Sequence, residues 1–162
     1  MMDIPMINQK ETRRALYAYL AVYRRFSYQL INGIESRPRP AKPGYEDCLD
    51  PDLIRRTKWT SGTLLDLAPS EEIYREWFVD RVDYHVGNMA PYEREIIIRR
   101  LLHPRKGYRT INDLLSDDEV LMSMKRDGWV AEHAYYDERK AHAILDLAER
   151  LRIAIYYPNR GF

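Results

Sequence analysis

The sequence predicts an almost entirely helical protein with a helix-turn-helix near its C-terminus. Three observations carry this. Apolar residues recur at three- and four-residue spacing through most of the chain, no stretch alternates convincingly as a strand, and the helical stretches are bounded by capping and breaking residues. With 162 residues, 45% of them apolar and 31% charged, the chain is long enough for one domain, or one domain with an appendage.

The first helix is expected over 12–34. Leu16, Tyr19, Leu20, Tyr23, Phe26, Leu30 and Ile34 form its apolar stripe. SRPRPAKPGYEDCLDP follows, and its prolines remove backbone donors and bias their predecessors away from helix, so it reads as an extended connector. Residues 52–68 give weak signals, a short helix from Asp52 and then a loop. We therefore divide the chain into 1–68, an amphipathic helix plus connector, and 69–157, a helical domain.

Ser70 with Glu71 and Glu72 suits a helix start, since the acids complement the positive helix end. That helix should reach about Val86, with Ile73, Trp77, Phe78, Val82 and His85 inward, and Gly87-Asn88 stops it. Pro91 opens the next helix, which ends at His103-Pro104. A basic loop, Arg105 to Arg109, leads to a short helix toward Leu115. Ser116-Asp117-Asp118-Glu119 starts a helix to about Lys125, Asp127-Gly128 turns, and a final helix runs to about Ile155.

The final helix raises a question of facing. At 100° per residue, Ala134, Ala141, Ile144, Leu145, Ala148 and Leu151 share one side. Glu132, Tyr135, Tyr136, Arg139, Ala143, Asp146 and Arg150 share the other. The tyrosines then either edge the core or present a contact surface.

The residues supply no catalytic constellation. Four histidines are scattered, and Glu138 with His142 is a lone pair rather than a metal site. Glycines are too dispersed for a phosphate loop, and Asp117-Asp118 and Glu71-Glu72 are explained by capping. The expectation is a non-enzyme without cofactor or metal. A single cysteine, Cys48, forbids an internal disulfide, no apolar run approaches a membrane span, and the N-terminus lacks an apolar signal core. A cytoplasmic location is expected.

Charge is uneven although the net is +1. Residues 1–42 hold eight Lys/Arg against three Asp/Glu, a net of +5. Residues 93–109 hold six against two, a net of +4. Residues 110–138 hold two against eight, a net of −6. A polyanion binder needs a local basic field rather than a basic total. In a helix-turn-helix the second helix enters the major groove, which nominates Glu132, His133, Tyr135, Tyr136, Arg139 and Lys140 to meet bases. Arg99, Arg100, Arg105, Lys106 and Arg109 are then expected to hold phosphates.

Three segments, the helix from Tyr74 to Met89, APYEREIIIRRLL, and AYYDERKAHAILDLAERLRI, together resemble the ArpU/RinA group of phage-encoded transcriptional regulators. The resemblance rests on Pro91, Glu93-Arg94-Glu95-Ile96-Ile97, Arg99-Arg100, Tyr135-Tyr136 and Leu147-Ala148-Glu149 in that order, over about residues 70–155. It departs from the group's pattern at Met89-Ala90 before the proline, at Ala131 where a Ser or Thr cap is usual, and at the acidic Asp137-Glu138. The resemblance implies a C-terminal bundle like the promoter-binding region of sigma factors, double-stranded DNA as ligand, and Tyr135, Tyr136 and Arg139 on the DNA-facing side. The alternative reading, motivated by the −6 block, is a protein–protein adaptor touching RNA polymerase or a phage assembly partner. Finally, the stripe Leu16, Tyr19, Leu20, Tyr23, Phe26 and Leu30 must be covered by its own domain or a second copy, and a homodimer through it is the favoured expectation.

Overall fold

The structure, a computed structural model, describes residues 6–31, 71–106 and 110–157, and of 30–31 and 71–74 only the helical backbone. The connector, Cys48, the weak helix after Asp52, the Ser70 cap, Arg109, and the side chains of Leu30 and Ile73 lie outside the described residues.

Among the described residues five α-helices follow one another: α1 (Gln9–Ile31), α2 (Glu71–Gly87), α3 (Pro91–Ile97), α4 (Asp117–Arg126) and α5 (His133–Arg150). A π-helical turn, Ile98–Leu102, continues α3. Among the described residues there is no strand, only two isolated antiparallel bridges, Ile7 with Tyr156 and Pro104 with Leu114. The all-helical expectation holds. The short helix expected before Leu115 is instead a turn closed by the second bridge. α5 stops at Arg150 rather than near Ile155.

α1 forms where its stripe meets α2 and α5. Leu16, Leu20 and Tyr23 are fully buried and Tyr19 and Phe26 nearly so, in one cluster with Phe78, Val79, Val82, Val86, Leu101, Leu102, Ala143, Ile144, Leu147 and Leu151. Tyr19 stacks on Phe78 at 4.4 Å between centroids, and Phe26 meets the same ring edge-on at 5.3 Å. Five large side chains leave water here, on the order of 10 kcal/mol of transfer free energy before chain entropy is charged. The stripe is therefore covered by the chain's own helices. This corrects the expected dimer seam through Leu16, Tyr19, Leu20, Tyr23 and Phe26, whose apolar area is already out of water. Across the 68/69 boundary, α1 and the helices that follow share one core.

Most polar groups inside this core are paired, as burial demands, the exception being Arg24 Nε, which is buried without a hydrogen-bond partner. Arg81 is fully buried and donates to the Tyr19 hydroxyl at 3.1 Å and to the Leu151 carbonyl at 2.9 Å, which caps the end of α5. Tyr23 donates to Asp83 at 2.6 Å. Arg24 is buried too, with its guanidinium on the Leu101 carbonyl of the π turn and on Asn112. Its pKa is lowered by burial and by Arg100.

A second, smaller core sits between α3, α4 and α5. Ile96, Val120, Leu121, Met124 and Tyr136 fill it, with Tyr92, Leu115, Trp129 and Ala131 at its margin. α5 thus serves both cores, its first half the small one and its second half the large one. Its buried residues are Tyr136, Ala143, Ile144, Leu147 and Ala148, a single stripe at helical spacing. Ala134 and Ala141 are exposed. The facing expected from sequence is corrected accordingly: Tyr136 and Ala143 point inward. The reason is area, since a tyrosine ring brings several times an alanine's apolar surface and sets the rotation of the helix.

Candidate nucleic-acid interface

α4 begins with a complete capping box. The Ser116 hydroxyl accepts from the Glu119 N–H at 3.2 Å, and the Glu119 carboxylate accepts from the Ser116 N–H at 3.1 Å. It ends in a Schellman motif. Gly128 N–H donates to the Lys125 carbonyl at 3.1 Å and Trp129 N–H to that of Met124 at 2.9 Å. Gly128 takes φ +90°, a conformation that favours glycine. Residues 127–132 then carry the chain to α5, whose N-cap, Glu132, makes no side-chain cap.

The two helices are joined by one carboxylate. Asp117, the first residue of α4, accepts from the Tyr136 hydroxyl at 2.9 Å and from Arg100 Nε at 3.1 Å on one oxygen. Its other oxygen takes Lys140 Nζ at 2.8 Å. Burial works to raise the Asp117 carboxyl, but hydrogen bonds from Lys140 and Tyr136, with the charges of Lys140 and Arg100, outweigh it and hold the group below its ordinary value. The same arrangement, burial first and then the Asp117 carboxylate, pushes the Tyr136 hydroxyl far above the usual phenol range. A second tie joins α3 to α5. Buried Glu93 takes His142 Nδ1 at 2.6 Å and Arg139 Nη1 at 3.2 Å, and Arg139 also reaches Glu138 at 3.2 Å.

Three arginines of the basic block, Arg99, Arg100 and Arg105, are paired with carboxylates of α3, α4 and the segments beside α4. Arg99 binds Glu95, Asp127 and the Ser123 hydroxyl. Arg105 forks onto Glu119 at 2.9 and 3.0 Å and reaches Asp113 at 2.9 Å. These partners raise the Arg105 guanidinium and draw the Glu119 carboxyl down to about 2, with Arg105 the leading cause for Glu119 and the Ser116 backbone the next.

The nominated residues therefore separate into three groups. Arg99, Arg100, Arg105, Arg139 and Lys140 are held in ion pairs. Tyr136, 1% exposed, is a core residue whose hydroxyl braces Asp117. Lys106, Glu132, His133 and Tyr135 are exposed. Tyr135, at 40%, meets Tyr92 edge-on at 4.9 Å, and Tyr92 in turn meets Trp129 at 6.0 Å and donates to the Val130 carbonyl at 2.9 Å. Burial, then the neighbouring Tyr135, raises the Tyr92 hydroxyl.

Sequence reasoning assigned Asp117 to capping alone and gave Glu93 no role. Both act through partners 17 to 49 residues away, which no local pattern announces. The 139/142 spacing was the available hint, since it sets Arg139 and His142 on one face of α5. Also passed over were Lys125 and Arg126, exposed at the end of α4, for which no ion-pair partner lies among the described residues. The outer face of the first turns of α5 carries Glu132, Asp137 and Glu138, all exposed. Among the described residues no group of three or more His, Cys, Asp or Glu is placed to hold a metal, and no helix is long and apolar enough to cross a membrane.

No family model, curated protein or solved structure matches this chain.

Proposed function

We propose that this protein is a helix-turn-helix transcriptional regulator that binds double-stranded DNA without catalysis and, following its resemblance to the ArpU/RinA group, acts on phage or prophage genes. The observation that carries this reading is the joint of α4 and α5. A capping box, a Schellman turn and the Asp117 carboxylate fix the second helix against the first, while the first turns of α5 remain exposed. That is the form a recognition helix needs. Arg94, Lys106, Lys125 and Arg126 are the cations of α3 to α4 available to phosphate, and His133 and Tyr135 are the side chains available to bases. Arg139 reaches DNA only by exchanging Glu93 for it. Glu132, Asp137 and Glu138 suit cytosine amino groups rather than guanine.

A second reading is favoured by one observation. The exposed start of α5 is acidic and its arginine is occupied, which suits a basic protein partner such as a polymerase or assembly subunit. Selection from a random duplex pool, followed by a mobility-shift assay, separates the two. A regulator enriches a common sequence, and Lys125→Ala/Arg126→Ala weakens binding to all duplexes while Tyr135→Ala relaxes the preference. An adaptor enriches no sequence and keeps its protein partner after nuclease treatment.

A further inference from the structure

The two ends of the described chain close on one another. Asn8 N–H donates to the Ile155 carbonyl at 2.7 Å and Tyr157 N–H to that of Met6 at 2.8 Å. Thr12 locks the clasp from α1, its hydroxyl donating to the Ile155 carbonyl at 3.1 Å and accepting from the Ile155 N–H at 2.9 Å. Ile7 and Tyr156 are therefore the facing, non-hydrogen-bonded pair of a short antiparallel ribbon. Backbone polar groups alternate sides along an extended strand, so the N–H and carbonyl of Tyr156 point away from residues 6–8. No partner for them lies among the described residues.

Apolar exposure gathers at the same place. Of the eight large apolar side chains exposed among the described residues, four belong to this clasp: Met6 at 73%, Ile155, Tyr156 and Tyr157. An open groove of about 520 Å³ adjoins it, bordered by Glu149, Arg152, Ala154, Ile155 and Tyr156. Arg152 stands there with φ 60° in a second Schellman-type turn, its N–H on Glu149 at 3.0 Å and that of Ile153 on Ala148 at 2.9 Å.

We propose that this clasp is a self-association surface on which a second copy of the chain adds its own 155–157 strand antiparallel to the first. Two features select a second copy as occupant. An antiparallel edge is its own complement: with Tyr156 of one copy opposite Tyr156 of the other, each donates its N–H to the other's carbonyl, the closed two-fold pairing that symmetric dimers use. The apolar surface is also of the right size for a weak dimer. The exposed parts of Ile155, Tyr156 and Tyr157 give roughly 300 Å² per copy, less than half of a standard interface side, so the dimer is weak and concentration-dependent rather than obligate. The clasp lies beyond the far end of α5, about 27 Å from its exposed first turn, and leaves that turn free. The proposal does not depend on whether that turn meets DNA or protein.

Sedimentation equilibrium of the full chain, from about 1 to 200 μM, tests this directly. The expected result is a mass that climbs from 19.4 kDa toward twice that value as concentration rises. Tyr156→Asp and Tyr157→Asp should each weaken the dimer at least about tenfold, since each sets a charge in the seam. Both side chains are exposed, and a far-UV melt of both variants checks that the fold survives. A mass of 19.4 kDa at every concentration overturns the proposal. So does a dimer that ignores both substitutions.

Discussion

Asp117 ties Arg100, Tyr136 and Lys140 to the first residue of α4, so small chemical changes there should be felt across three elements. Tyr136→Phe keeps the ring and removes one hydrogen bond. It is expected to cost about 1–2 kcal/mol in urea denaturation, because Asp117 keeps two cations. Tyr136→Ala empties the small core as well and should cost about 3–5 kcal/mol. Acid should act through the same groups. Asp117 and Glu119 both lie below their ordinary carboxylate values, so the folded state holds fewer protons than the unfolded one. Their contribution is present in full above the unfolded pKa and is lost as pH falls, for Glu119 between 4.5 and about 2. Urea midpoints taken down that range should fall, and Glu119→Gln should flatten the fall. An unchanged slope in that variant means the Arg105 pairing is not what holds Glu119 ionised.

At the scale of the element, the helices were legible and the rotation of one of them was not. The stripe of α1, the capping box at Ser116 and the stop at Gly128 are local patterns, and the structure has all three. The rotation of α5 depends on what it packs against. Counting apolar residues gave equal weight to Ala134 and Tyr136, whereas burial rewards area, and the ring won. The interface was misread for a related reason. Sequence composition shows charge but not pairing, so Arg99, Arg100, Arg105, Arg139 and Lys140 look available, whereas α4 supplies counter-ions to Arg100, Arg105 and Lys140 and α3 supplies them to Arg99 and Arg139. The turn between α4 and α5 offers a clean test of its own motif. A Cβ at Gly128 meets nothing within 4 Å, so the penalty of Gly128→Ala is that of a left-handed backbone alone, about 1–2 kcal/mol. Gly128→Asn should recover much of it, since asparagine tolerates that conformation. Equal stability of all three proteins in thermal melts would mean that the turn relaxes.

The whole molecule depends on α1 more than a two-part division suggests. Removing residues 1–68 strips Leu16, Tyr19, Leu20, Tyr23 and Phe26 from Phe78, Val82 and Leu147, takes from Arg81 and Asp83 their Tyr19 and Tyr23 hydroxyl partners, and opens the clasp at Ile155. A chain starting at Pro69 is expected to lose cooperative melting and to aggregate, while Leu20→Ala in the full chain should cost about 2–5 kcal/mol. A truncated chain that melts sharply at the full-length temperature would show that the small core suffices.

Charge pairing over the whole surface also fixes how DNA binding should respond to salt. Neutralising Z phosphates gives log K a slope of about −0.9Z against log salt concentration. If all six Lys/Arg of 93–109 joined Arg139 and Lys140 on phosphates, the slope would be about −7. With Arg99, Arg100, Arg105, Arg139 and Lys140 held by internal carboxylates, Arg94, Lys106, Lys125 and Arg126 remain among the described residues of α3 to α4, and the expected slope is about −4 per copy. Mobility shifts across a salt series measure it. Lys125→Ala/Arg126→Ala should lower the magnitude by about 2, and Arg99→Ala should leave it unchanged while costing stability. A slope near −7 in the unmodified protein would mean that the internal pairs open on DNA and that their arginines move to phosphate.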